Sequence, residues 1–149
     1  MTISVKEFQG LREESTPLSL DARCIGELSF EQFREGIRLC EERGNTGSLT
    51  SLTGIPVDYF DLDISSCILT DGQVTGLDLL HYNKMEKTLI GEAYVSTVED
   101  NLQNLVEMLR FSVIAMNKKY PQDTRFVIPY ETEQHMLLVG RLFGEREQS

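Results

Sequence analysis

The stretch Tyr94–Leu105, "YVSTVEDNLQNL", carries the residue pattern with the most chemical content. It reads as a strand running straight into an amphipathic helix. In many α/β proteins the N-terminus of such a helix cradles a phosphate, because its first amides lack intrahelical acceptors and its dipole favours negative charge. Here Glu99 and Asp100 occupy that spot. An acidic residue in a first helical turn is ordinary capping, and Asp100 or Asn101 is suited to satisfy the orphan N–H groups. The same capping competes with a phosphate for the same donors.

Few other residues are spaced for chemistry. The three cysteines, Cys24, Cys40 and Cys67, are odd in number, widely spaced and form no C-x-x-C. They read as mostly buried thiols of a reducing cytoplasm. His81 and His135 are far apart and lie in no ligand motif, so neither a metal site nor a Cys/His nucleophile pair is expected. With 24 acidic and 14 basic residues the formal net charge is -10, which argues against nucleic acid and against an anionic membrane surface as partners. Arg34, Arg38 and Arg43 are interleaved with Glu31, Glu35, Glu41 and Glu42, the pattern of a solvated helix face with paired charges. No apolar run approaches the ~20 residues that cross a bilayer, and "MTISVKEFQG" has no secretory pattern. At 149 residues, 40% hydrophobic and 26% charged, the chain is expected to form one soluble globular domain over 1–149 in the cytoplasm.

The elements that would position the 94–105 segment follow from periodicity. "ISVKEF" is compatible with a short strand over 3–8, and 10–27 reads as irregular or a short helix. Ser29 with Gln32 forms a capping-box pattern, followed by an apolar stripe of Phe30, Phe33, Ile37 and Cys40 and a stop at Gly44. "NTGSLTSLTGIPVDYFD" is a loop with room for a short helical turn. "SSCILTDGQVTGLDLLHY" is two strands joined at Asp71-Gly72, a dipeptide suited to a tight hairpin. A second turn at "NKMEK" leads to a third antiparallel strand over about 88–96. Leu102, Leu105, Val106, Leu109, Val113 and Met116 mark one face of the longest helix, which ends at Lys118, Lys119 and Pro121. "TRFVIPY" is a sheet-interior strand reached by a parallel crossover, and a last helix covers 133–143.

That order resembles the GNAT N-acetyltransferase superfamily. "DGQVTGLDLL" looks like the family's second and third strands, and "TLIGEAYVS" its fourth. The segment from "NLVEMLRF" to "RLFG" is similar to its third helix, fifth strand and fourth helix. The resemblance covers about 60–145 well and 1–60 weakly. It looks closest to the divergent halves of tandem bacterial GNAT proteins. The implied fold is α+β: a mostly antiparallel twisted sheet with one parallel crossover, flanked by helices.

The resemblance implies acetyl-CoA as cofactor. The family holds its pyrophosphate on backbone amides of a glycine-rich loop, Q/R-x-x-G-x-G/A. The matching segment here, "STVEDN", has no glycine and no basic residue. A carboxylate about 4–6 Å from a phosphate charge, at an effective dielectric near 20, is repelled by roughly 3–4 kcal/mol; half of that weakens binding more than about ten-fold. Among the implied catalytic groups, Glu92 is the residue of the fourth strand able to act as general base, directly or through water. Its ordinary alternative is an outward-facing strand residue. The tyrosine that serves as general acid in many members falls near Val139 and is missing, with Tyr130 a weak substitute. Ala93, Tyr94 and Val95 would pair with a pantetheine arm, and Val98 would begin the phosphate-facing amides.

Two functions are therefore expected in competition. The first is a degenerate GNAT-like domain acting as a binding, dimerisation or regulatory module. The second is an active acetyl-CoA-dependent N-acetyltransferase for a small or peptide amine. An unrelated α+β ligand-binding domain of coincident element order is a third. The acidic surface favours a cationic amine or a lysine-rich protein partner. With no hairpin after the last strand, an open sheet edge suits a homodimer.

Overall fold

The computed structural model describes residues 2–4, 22–43, 52, 54–97, 103–121 and 123–127, with the backbone alone at 2–4, 103, 105 and 106. Six strands, β1 (Thr2–Ser4), β2 (Ala22–Cys24), β3 (Ser66–Thr70), β4 (Gln73–Asn83), β5 (Thr88–Ser96) and β6 (Arg125–Val127), form one sheet. Its order is β1-β6-β5-β4-β3-β2. All neighbours are antiparallel except β5 and β6, which pair in parallel through Thr88–Arg125, Leu89–Phe126 and Ile90–Val127. Among the described residues two α-helices accompany it, α1 (Phe30–Arg43) and α2 (Gln103–Lys119). The fold is thus α+β with a mixed sheet, as the element order predicts.

Local chemistry explains most of these elements. At the start of α1 the Ser29 amide donates to Gln32 Oε1 at 2.9 Å, and the Gln32 amide donates to Ser29 Oγ at 3.1 Å. This reciprocal cap satisfies donors that the helix leaves unpaired. The Gln32 side-chain amide also reaches the Gly72 carbonyl at 3.0 Å, tying the cap to the β3–β4 turn. In that turn Asp71 and Gly72 have φ of 52° and 79°, the double positive pattern that Asp-Gly tolerates. On the outer face of α1, Arg38 bridges Glu35 and Glu42.

The two helices lie on opposite faces of the sheet. A Cβ at Gly36 of α1 would meet Leu77, and one at Gly76 would meet Met108 of α2. Adjacent strand residues 76 and 77 point to opposite sides. The α1 face holds the main core, including Phe33, Leu39, Cys40, Leu77, Leu79, Ala93 and Val95. The α2 face carries a polar row, Cys24–Ser66–Asp78–Tyr94, in register across β2 to β5. There Ser66 Oγ donates to the Met108 carbonyl at 3.1 Å, and Ser112 Oγ donates to the Ile64 carbonyl at 2.6 Å. Both serines hold α2 against the sheet.

Three expectations need correction. Ala22–Cys24 is a strand where the sequence suggests irregular chain or a short helix; the 3-10 turn over Ile25–Glu27 that follows fits the helical alternative. Three residues are too few to show a period, and pairing with β3 selects their conformation. Phe30 is no part of the buried stripe: it is 73% exposed, its ring under Arg34. The outer edge of β6, left open for a second copy, is paired to β1 at Thr2–Val127, Ile3–Phe126 and Ser4–Arg125. The stop at Gly44 and the helix over 133–143 lie outside the described residues.

Candidate functional site

β5 supplies the residues expected to do chemistry, and its pairing with β4 contains an irregularity at their centre. Leu80 stands opposite Gly91 and Leu79 opposite Ala93, so Glu92 is an extra residue without a counterpart on β4. That is a β-bulge, a device that re-aims a side chain and recurs beside active sites. The sequence places Glu92 in a regular strand and allows an outward orientation; the structure buries it to 4% exposure. Its carboxylate lies near Tyr59. Burial first, and the Glu92 charge second, push the Tyr59 phenol above its usual range.

Tyr59 ends a 3-10 turn over Val57–Tyr59 and is fixed by an aromatic stack. Its ring lies parallel to His81 with centroids 4.0 Å apart and 2° between planes. The His81 Nδ1–H donates to the Tyr59 carbonyl oxygen at 2.7 Å. A carbonyl can only accept, so this bond fixes the proton on Nδ1. Phe60 meets Tyr59 edge-on with ring centroids 5.2 Å apart. His81 is thus a held structural histidine, and Glu92, Tyr59 and His81 form one local group on β4, β5 and the preceding turn. Sequence reasoning found Glu92 but not the two aromatic residues, which stand far from it along the chain.

The remaining expected residues divide between core and boundary. Ala93 and Val95 are buried in the α1-face core, and Tyr94 is half-buried on the opposite face. The described ladder between β5 and β6 ends at Ile90 and Val127. Val98, Glu99, Asp100, Asn101, Tyr130, His135 and Val139 lie outside the described residues. At the level of sequence, the donor set of "STVEDN" does not suit a diphosphate, since it combines two carboxylates with no glycine.

A second buried acid was missed by sequence reasoning. Asp78, on β4 in the polar row, is 6% exposed, and its Oδ2 has no hydrogen-bond partner. Desolvation pushes its carboxyl up to about 7. The signal lay in "LDLL", an acid inside an otherwise apolar strand. On α1, burial pushes the Cys40 thiol up to about 12, with the Asp78 charge adding to it. That leaves Cys40 protonated and unreactive near neutral pH. All three cysteines are free thiols, with Cys40 and Cys67 buried and Cys24 half-buried.

Among the described residues, no group of three or more His, Cys, Asp or Glu is placed to hold a metal ion. No described helix is long and apolar enough to cross a membrane. In comparisons with known proteins, no protein-family model, no curated protein and no solved structure matches the chain.

Proposed function

We propose that the chain is a GNAT-like domain serving as a binding, dimerisation or regulatory module without ordinary acetyl-CoA binding. The fold part of this reading is supported by element order among the described residues: two short strands, helix, three antiparallel strands, helix and a parallel strand beside β5. The observation that carries the functional part is the chemistry after β5. "STVEDN" offers two carboxylates and no glycine where a diphosphate needs bare amides. The expected partners are a cationic amine or a protein, with neither nucleic acid nor an anionic membrane, in keeping with the net charge of -10. The cytoplasm is the proposed location. Calorimetric titration with acetyl-CoA and with coenzyme A tests the reading. No heat of binding up to millimolar ligand is expected, and saturable micromolar binding overturns it.

A second reading is favoured by one specific observation, the burial of Glu92 at the bulge beside Tyr59. In an N-acetyltransferase this carboxylate would accept the proton of the attacking amine, directly or through a water. Acetyl transfer to a panel of amines, lost by about 10²–10⁴-fold in Glu92→Gln, would establish it. Absence of transfer from the wild-type chain removes it.

A further inference from the structure

Beside α1 runs an open groove of about 840 Å³, walled by the helix and by residues 54–57. Its apolar lining includes Phe33, Ile37, Leu52 and Ile55. Phe33 and Leu52 belong to the core, so the floor is continuous with it. Two large apolar side chains also line it and remain in water, Phe30 at 73% and Val57 at 40% exposure. The other exposed large apolar residue among those described, Met85, lies in the β4–β5 turn. Exposed apolar surface gathered around one concavity, with a polar rim, marks an interaction site.

The rim says what would fit. Among the described residues, four glutamates, Glu31, Glu35, Glu41 and Glu42, line the groove with two arginines, Arg34 and Arg38. Arg38 is engaged by Glu35 and Glu42, and Arg34 lies over the Phe30 ring with its guanidinium carbon 5.6 Å from the centroid. The rim is therefore net acidic on a chain of charge -10. A second copy, an anionic bilayer and a nucleic acid would all meet repulsion there.

We propose that this groove docks a short basic amphipathic segment of a partner protein. Its apolar side chains would seat on Phe30, Ile37 and Val57, with lysines or arginines along the glutamate rim. An amphipathic helix presenting one apolar face is the recognition mode that suits such a groove. The proposal gives the binding-module reading a partner class, and it stands on a different part of the molecule from the coenzyme question.

Fluorescence anisotropy with an end-capped, labelled leucine–lysine amphipathic peptide, and with its leucine–glutamate counterpart, tests it. Saturable micromolar binding of the lysine peptide is expected, weakened by salt and absent for the glutamate peptide. Phe30→Ala should weaken binding about ten-fold, as truncating an aromatic anchor does, and Val57→Ser should weaken it too. Both side chains are exposed, so circular dichroism should show an unchanged fold. No saturable binding, binding by either variant as tight as that of the wild type, or equal binding of the glutamate peptide overturns the proposal. A wild-type dimer in sedimentation that Phe30→Ala dissolves also overturns it, by assigning the groove to self-association. Titrating Phe30→Ala with acetyl-CoA keeps the two questions separate, because the groove variant leaves the β5 site intact.

Discussion

Asp78 and Tyr94 stand directly opposite each other on β4 and β5, on the sheet face where Ser66 bonds to α2. Tyr94 is half-buried, whereas Asp78 is buried with Oδ2 unbonded. A carboxyl placed there is tolerated mainly in its neutral form.

This sets a pH dependence of stability. Because burial raises the folded-state value of Asp78 to about 7, its contribution is fully present below the unfolded value of about 4 and is lost as pH rises to about 7. The loss is of order 4 kcal/mol. Urea unfolding across that window should show the decline, and Asp78→Asn should flatten it while raising stability above pH 7. An unchanged slope in the variant would show that Asp78 is solvated in the folded protein.

Asp61 should behave in the opposite sense. Burial alone would raise its carboxyl, but the Tyr120 hydroxyl, the Lys119 ammonium at 3.0 Å and the Asp63 amide bring it below the usual range. Its stabilisation is present above the unfolded value and is lost as pH falls. Tyr120→Phe should cost about 1–2 kcal/mol by removing one donor. Asp61→Ala should cost more, since the Ile64 amide and the Tyr120 hydroxyl lose their acceptor together. Equal midpoints for the two variants in denaturant would contradict this ordering.

The cap of α1 gives a smaller, local effect. Ser29→Ala should destabilise by about 1 kcal/mol. Gln32→Ala should cost at least as much, because Gln32 serves both the cap and the Gly72 carbonyl. Chemical unfolding of both variants, with unchanged m-values, is the check.

At the hairpin, Gly72→Ala places a Cβ at φ 79°. Nothing crowds that Cβ, so the cost is purely conformational, about 1 kcal/mol. Asp71→Asn, which keeps a residue type at home with positive φ, should be close to neutral. Thermal melts of the two variants should separate accordingly.

Much of the fold was legible where the signal is local. Asp71-Gly72 announced a hairpin, Ser29 with Gln32 announced a helix start, and Leu109, Val113 and Met116 marked a helix face that is buried. What stayed hidden depends on partners distant in sequence. Ala22–Cys24 becomes a strand only because β3 offers an edge. The bulge at Glu92 is a mismatch between two strands and exists only in their pairing. Phe30 belonged to the apolar spacing, but at the first residue of α1 that spacing points past the core into the groove. The Glu92–Tyr59–His81 group joins residues that no short motif could have connected.

The pairing of β1 with β6 unites the two extremes of the described chain. Among the described strand pairs this closure spans the greatest sequence separation and carries the largest loop entropy, so it is expected to form late in folding. Until it forms, the backbone of β6 remains a template for any stray strand. A variant shortened by its first few residues should therefore refold with a sharply increased tendency to aggregate at high protein concentration, even if the rest of the sheet assembles at its normal rate.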